Sequence, residues 1–321
     1  MKTVKIGLLG LGNIGTGTYK VLEMNRPEIE KAAGSNIVIH KILEQDTTRQ
    51  RDIPVNPSEF TQNPDDIFKD PEIDIVIELL GGIEPATTYM LQAMKNKKHV
   101  VTANKAAIAA NFDKLTKCAD DNGVLLRYEA SVGGGIPILN AVTTALRGNK
   151  YIEVMGIING TTNYILTQMT DHGLGYADAL KAAQEKGFAE ADPTEDVEGI
   201  DAANKLTILI ALLFDKYVKP EDIPREGISK ITKENIEEAR AKGCKIKLIA
   251  KAGNESGKLF YSVKPTLIEN DHPLAFVNNE FNAIFLKGNA VGDLMFYGKG
   301  AGPLPTGSAV IGDVIEIVRN S

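Results

Sequence analysis

Three features of the sequence predict an α/β chain: a mostly parallel sheet in one domain, followed by a second domain of α+β type. Short apolar runs alternate with stretches of helical spacing over roughly the first 130 residues. The alternation stops at "ASVGGGIPI", 130–138, and beyond it helical patterns gather ahead of a series of strand-like runs. With 321 residues the chain has enough length to bury two cores.

The opening run "TVKIGLLG" is a strand that ends on glycine, and "NIGTGTYKVLEMNR" has the apolar spacing of a helix. "NIVIHKIL", "IDIVIELLG", "KHVVTANK" and "GVLLRYEA" are further strands, with helices between them at 84–96 and 106–121. Such alternation implies right-handed βαβ crossovers and helices on both faces of the sheet. A helix at 138–147 then precedes the strand "YIEVMGIIN", 151–159, and helices continue to about 243. "CKIKLIAKAG", "KLFYSVKPTLI", "FNAIFLKG" and "DLMFYGKGAG" read as strands of a mixed or antiparallel sheet. The tail "TGSAVIGDVIEIVRN" is a helix that fits against either domain. The expected domains are 1–130, joined by 300–321, and 131–299.

A net charge of −6, with basic residues interspersed among acidic ones as in "ITKENIEEARAKG", gives no basic face for nucleic acid or an anionic membrane. The apolar run "LTILIALLF" falls short of the roughly 20 residues that span a bilayer. "MKTVKIGLLGLG" leads straight into a glycine turn with no signal-peptide pattern. Two cysteines, Cys118 and Cys244, make no disulfide framework and fit a reducing cytoplasm. His40, His99, His172 and His272 have no short metal-ligand spacing, so no zinc site is expected.

Gly10-Leu11-Gly12-Asn13-Ile14-Gly15 is a G-x-G-x-x-G between a strand and a helix. The first glycine permits the tight turn, the second admits a pyrophosphate, and the third lets helix pack on strand. Amides at the start of the helix then favour the phosphates. Glu44 and Asp46 lie after the second strand, where an acidic side chain could accept hydrogen bonds from an adenosine ribose; Arg49 and Arg51 just beyond could instead hold a 2′-phosphate. NAD and NADP both remain open. "TANK", 102–105, follows a parallel strand at the sheet end where such folds bind ligands, which makes Thr102 and Lys105 cofactor-side residues.

In the second domain "GIINGTTNYIL", 156–166, is a strand, an Asn-Gly turn, a threonine cap and a helix start; the amides there, at Gly160 and Thr161, suit a carboxylate ligand, while the plainer account is an ordinary turn with a capped helix. In "EKGFAEADPTEDVEGIDAANKLTILIALLF", 185–214, Gly187 reads as a helix C-cap, and Asp192, Pro193 and Glu195 as the start of the next helix, with Gly199 leaving that start uncertain. Asp201 and Lys205 are four apart and share one side of it. A lysine entering a buried helix must be paired or functional, and the plainer account is an ion pair with Asp201.

These elements, namely "GLGNIG", "IELLGG", "TANKA", "EASVGGGIPI", "GIINGTTNYIL" and above all "GFAEADPTEDVEGIDAANKL", resemble homoserine dehydrogenase in order and spacing across essentially the whole chain. The resemblance implies oxidation of L-homoserine to L-aspartate 4-semialdehyde, or the reverse, with NAD or NADP. It also implies a Rossmann-type domain, a substrate domain that forms a homodimer, and a C-terminal helix that returns to the nucleotide domain. It implies that Glu190 and Asp201 hold the substrate amine, with Gly160, Thr161 and Gly187 beside it, and that Lys105 and Lys205 stand near the reacting hydroxyl. Glu129, Val132, Gly134 and Ile136 would hold a structural monovalent cation, sodium or potassium, largely through main-chain oxygens. Gly302 would lie beside the cofactor. The chain ends soon after "GAGPLPTGSAVIGDV", without room for the ligand-sensing ACT domain of some members.

The chemistry needs a hydride acceptor and a proton acceptor, so the protein's task is orientation and proton transfer. A lysine acting as base near neutral pH needs its pKa lowered from roughly 10.4. If Asp201 is occupied mainly by the substrate ammonium, Lys205 is left to serve the hydroxyl. The rivals are a nucleotide-binding sensor on the same fold and a dehydrogenase of a related amino-acid semialdehyde.

Overall fold

The structure is a computed structural model and describes residues 2–49 and 51–320. The chain divides into two compact units, Met1–Gly135 with Ala301–Ser321, and Ile136–Gly300, so the first division falls after Gly135 rather than after 130.

Unit 1 runs β1 (Thr3–Leu9), α1 (Asn13–Met24), α2 (Arg26–Ala33), β2 (Asn36–Leu43), β3 (Phe60–Thr61), α3 (Asp65–Phe68), β4 (Ile75–Glu78), α4 (Ala86–Lys95), β5 (His99–Thr102), α5 (Lys105–Asn122) and β6 (Leu126–Arg127). Its six strands lie in the order β3-β2-β1-β4-β5-β6 and are paired in parallel. The order reverses between β1 and β4, which places the ligand crevice of such a sheet at the carboxyl end of β1. Nearly continuous apolar strands explain the burial: Ile6, Leu8, Ile75, Ile77 and Val101 join one core, as both faces of a parallel sheet are covered. β3, α3 and the separation of α2 from α1 had no clear period in the sequence.

The expected C-terminal helix forms as α12 (Pro303–Asn320) and belongs to unit 1, where Val310, Ile311, Val314 and Ile317 enter the same core. Two glycines let α12 touch α1 backbone to backbone. A methyl group at Gly17 would stand 2.2 Å from Pro303 O, and one at Gly307 2.8 Å from Gly17 C.

Unit 2 contains α6 (Ile138–Asn140), which continues as a π-helical turn over Ala141–Ala145, then β7 (Tyr151–Ile157), α7 (Gly160–His172), α8 (Tyr176–Glu185), α9 (Thr194–Val197), α10 (Ile200–Phe214) and α11 (Lys233–Ala241). β8 (Cys244–Glu255), β9 (Lys258–Glu269), β10 (Phe281–Gly288) and β11 (Gly292–Lys299) follow. The sheet order is β11-β10-β7-β8-β9. Of the two arrangements the sequence allowed, the sheet is antiparallel in all its strand pairings among the described residues.

A lysine sits in this second core. Lys247 of β8 is 2% exposed, and its ammonium donates to Asn163 Oδ1 at 3.1 Å, Asn278 Oδ1 at 3.3 Å and Val277 O. Burial, with Lys245 nearby, pulls its pKa down to about 8.

Candidate active site

The glycine turn folds as its spacing requires. Gly10 has φ +90°, and a methyl group at Gly15 would lie 2.3 Å from Gly10 O, so the first and third glycines serve the fold. Gly12 differs: a methyl group there meets nothing within 4 Å among the described residues. Gly12 is the N-cap of α1, among the described residues no side chain caps it, and the amides of Asn13, Ile14 and Gly15 open the helix without intrahelical acceptors. An uncapped helix start behind an open glycine fits a dinucleotide pyrophosphate. Glu44 follows β2, and its Oε2 accepts from Leu11 N at 3.1 Å, inside the turn itself.

At the carboxyl ends of β4 and β5 a hydrogen-bonded relay presents Lys105. Glu78 is fully buried and in register with Thr102, whose hydroxyl donates to Glu78 Oε2 at 2.7 Å. Leu80 N donates to Glu78 Oε1 at 2.7 Å. Asn104 N donates to Thr102 Oγ1, and Asn104 Nδ2 to Gly82 O at 2.7 Å. Asn104 Oδ1 then accepts from Ala107 N and caps α5, of which Lys105 is the first residue. Burial pushes the Glu78 carboxyl above its usual range, while these donors pull the other way. A cation at a helix start opposes the helix dipole by ~0.3–1 kcal/mol, so Lys105 is not there for the stability of α5. Thr102 therefore supports the "TANK" turn from beneath. Glu78 is a residue that sequence reasoning missed, although "IELLGG" held the signal: an acid ending an otherwise apolar strand.

In unit 2 the cap of α7 is Asn159, not a threonine. Its Oδ1 accepts from Thr162 N at 2.9 Å. Its Nδ2 donates to Asp201 Oδ2 at 2.9 Å and Asp196 Oδ1 at 2.6 Å. Lys205 Nζ lies 2.7 Å from Asp201 Oδ2 and 2.7 Å from Ile158 O. Lys205 and Asp201 are both buried. The i, i+4 ion pair that the spacing allowed is therefore formed, at the head of an apolar helix. The helix start expected near Asp192 is split: Asp192 Oδ1 accepts from Thr194 N ahead of the short α9, and Gly199, at φ +75°, starts α10. That break turns Asp196 towards Asn159. Burial raises the Asp196 carboxyl above its usual range, and the charge of Asp201 adds to this. Neither Asn159 nor Asp196 stood out in the sequence, because what joins them is a contact between segments.

Gly187 takes φ +75° after α8, and Glu190 in the same loop is exposed. Thr161 Oγ1 donates to Phe188 O at 2.6 Å, which ties the first turn of α7 to that loop. Glu129 and Val132 are buried in unit 1, and Gly133 and Gly134 follow with φ +79° and +57°. Ile136 opens unit 2, and its carbonyl accepts from Ile138 N. Gly302 has φ +122°, directly ahead of α12. His40, Asp70 and Glu72 gather their ligand atoms within 4.8 Å, a grouping their separation in sequence concealed. Lys5 and Lys41 already pair with these acids, at 2.7 Å from Glu72 and 3.7 Å from Asp70.

Residues 137–315 match the family model for homoserine dehydrogenase, and residues 10–129 that for the homoserine dehydrogenase NAD binding domain. The homoserine dehydrogenase of Bacillus subtilis is 43% identical over 320 residues, covering 100% of this chain and 74% of that protein. A crystal structure of a homoserine dehydrogenase from Thiobacillus denitrificans superposes with a TM-score of 0.94 at 44% identity, over 99% of this chain and 74% of that one. A hyperthermophilic archaeal homoserine dehydrogenase in complex with NADPH gives a TM-score of 0.81 at 26% identity, over 99% and 98% of the two chains.

Proposed function

Since this chain belongs to the homoserine dehydrogenase family and interconverts L-homoserine and L-aspartate 4-semialdehyde with NAD or NADP, we propose that Lys205 and Lys105 serve the reacting oxygen while Asp201 and Glu190 hold the substrate ammonium. When bound, the nicotinamide ring supplies the hydride acceptor or donor. The residues of the chain supply grip, orientation and a proton path. The observation that carries this reading is the Lys205 ammonium, buried 2.7 Å from Asp201 Oδ2. A substrate ammonium reaching Asp201 competes with Lys205 for that carboxylate and leaves the lysine readier to exchange a proton with the hydroxyl. In the reducing direction the Lys205 ammonium donates its proton to the oxygen as hydride reaches carbon. Asn159 holds Asp201 throughout, and Gly160 and Thr161, at the start of α7, receive the substrate carboxylate. Gly187 lets the loop bearing Glu190 turn towards it.

On the cofactor side the reading uses Gly10, Gly12, Asn13, Ile14 and Gly15 for the pyrophosphate, Glu44 for the adenosine ribose, and Thr102, Lys105 and Gly302 near the nicotinamide. A monovalent cation held by main-chain oxygens of Glu129, Val132, Gly134 and Ile136 would be structural. Buried irregular backbone with two left-handed glycines supports it, since a hard cation takes such oxygens. Unit 2 forms a homodimer in this reading, supported by edge strand β11 with Met295 and Tyr297 exposed. The location is cytoplasmic, which free Cys118 and Cys244 fit; no helix of the described residues is long and apolar enough to cross a membrane.

The test is a near-ultraviolet assay with L-homoserine and each cofactor, with L-serine and L-threonine as controls, on the parent and on Lys205→Ala, Lys105→Ala and Asp201→Ala. Turnover with homoserine alone is expected. Both lysine variants should lose kcat by ~100-fold or more, as proton-transfer groups do, and Asp201→Ala should chiefly raise KM. Near-normal kcat in both lysine variants overturns the assignment.

A further inference from the structure

We propose that Glu44, held in place by Arg51, makes the adenosine end of the cofactor site select NAD over NADP; this rests on the dinucleotide reading of unit 1. In a βαβ nucleotide site the residue after the second strand meets the adenosine ribose. A carboxylate there accepts from the ribose hydroxyls of NAD, whereas a 2′-phosphate needs a nearby arginine. This chain has both residue types within a few positions, so only their partners can decide between them.

Arg51 is already committed. Its Nε donates to Leu11 O at 3.2 Å, NH1 to Arg49 O at 3.0 Å and NH2 to Asp46 O at 3.1 Å. NH2 also lies 2.9 Å from Glu44 Oε2, and the guanidinium stands over the Phe60 ring at 5.7 Å. The side chain is 7% exposed. All three guanidinium nitrogens are thus engaged, and the group is built into the loop beside the glycine turn. A phosphate could claim it only by breaking that loop.

Glu44 is fixed by the same contacts and stays more open, at 18% exposed. Its main-chain N–H donates to Thr61 O at 3.0 Å, and its Oε2 takes both Leu11 N and Arg51. Among the described residues its Oε1 accepts a single long bond, at 3.3 Å, from Asp46 N, which leaves acceptor capacity for a ribose hydroxyl. A 2′-phosphate brought there adds negative charge beside this carboxylate. Asp46, whose carboxyl is held low by bonds from Thr48, lies two residues on. Arg49 is exposed in the same loop, and its charge works against this selection.

The experiment titrates the full-length chain with NADH and NADPH by fluorescence, without homoserine, and then measures kcat/KM for NAD and NADP with L-homoserine. NADH is expected to bind at least tenfold more tightly, with the ratio shrinking as salt screens the repulsion. Glu44→Gln should narrow the ratio at least threefold by improving NADPH. Each ratio is internal to one variant, so a general loss of affinity does not mask it. NADPH binding as tightly as NADH, or a ratio unmoved by Glu44→Gln, overturns the proposal. Preference for NADH without turnover of homoserine supports it while contradicting the substrate assignment; failure to bind either cofactor overturns both.

Discussion

The hydroxyl of Thr102 donates to Glu78 Oε2 at 2.7 Å, joining the last residues of β5 and β4 in a layer where both side chains are fully buried. Through Asn104 that bond sets the turn carrying Lys105. Thr102→Val keeps the shape and removes the donor, leaving a buried carboxylate one partner short at ~1–3 kcal/mol. The expected outcome is a loss of kcat of ~10-fold or more with the fold retained, and recovery in Thr102→Ser. Steady-state kinetics beside a thermal melt would show it; unchanged kcat in the valine variant would mean that the turn is held without this bond.

Lys205 and Asp201 form a buried pair, and removing one partner strands the other. Lys205→Met should cost ~3–5 kcal/mol of stability, as breaking buried pairs does. Adding Asp201→Asn should return much of that stability and none of the activity. Urea unfolding of parent, single and double variants reads the first effect, and the homoserine assay the second. A double variant no more stable than Lys205→Met would show that the two charges are not energetically coupled.

Gly12 and Gly15 should fail differently. A methyl group at Gly15 collides with Gly10 O, whereas one at Gly12 meets open space. Gly15→Ala should therefore destabilise unit 1 by ~1–3 kcal/mol, as overpacking does. Gly12→Ala should fold normally and lose nucleotide affinity. Melting temperatures with and without NADH separate the two, and tight NADH binding by Gly12→Ala would remove the pyrophosphate from this turn.

Lys247 gives unit 2 a dependence on pH. In the fold its proton leaves near pH 8, whereas the ordinary value is 10.5. Between these limits the unfolded chain binds the proton and the fold does not, so stability rises with pH from about 8 towards 10.5, and is lost as pH falls back across that window, levelling off below 8. From pH 8 to 9.5 the parent should gain roughly 2 kcal/mol relative to Lys247→Met. Parallel profiles in urea unfolding would show that the buried ammonium keeps its proton throughout that range.

Local order is what the sequence alone determined. The glycine hexapeptide, the apolar strands around it and the run "GFAEADPTEDVEGIDAANKL" announced a parallel nucleotide-binding sheet, a second unit and the Asp201–Lys205 pair, because these depend on neighbours along the chain and on period. "FNAIFLKG" became β10 residue for residue. Tertiary structure decided what depends on distant partners. Only the fold shows that Arg51 is spent on Leu11, Arg49, Asp46 and Glu44, that Glu78 supports the turn before Lys105, and that Asn159 joins Asp196 to Asp201. The same holds for α12, whose period marks a helix but not its place; Gly17 and Gly307 settle that by letting two backbones touch. Periodicity says which way a side chain faces, whereas a buried polar group takes whichever partner the packed chain brings to it.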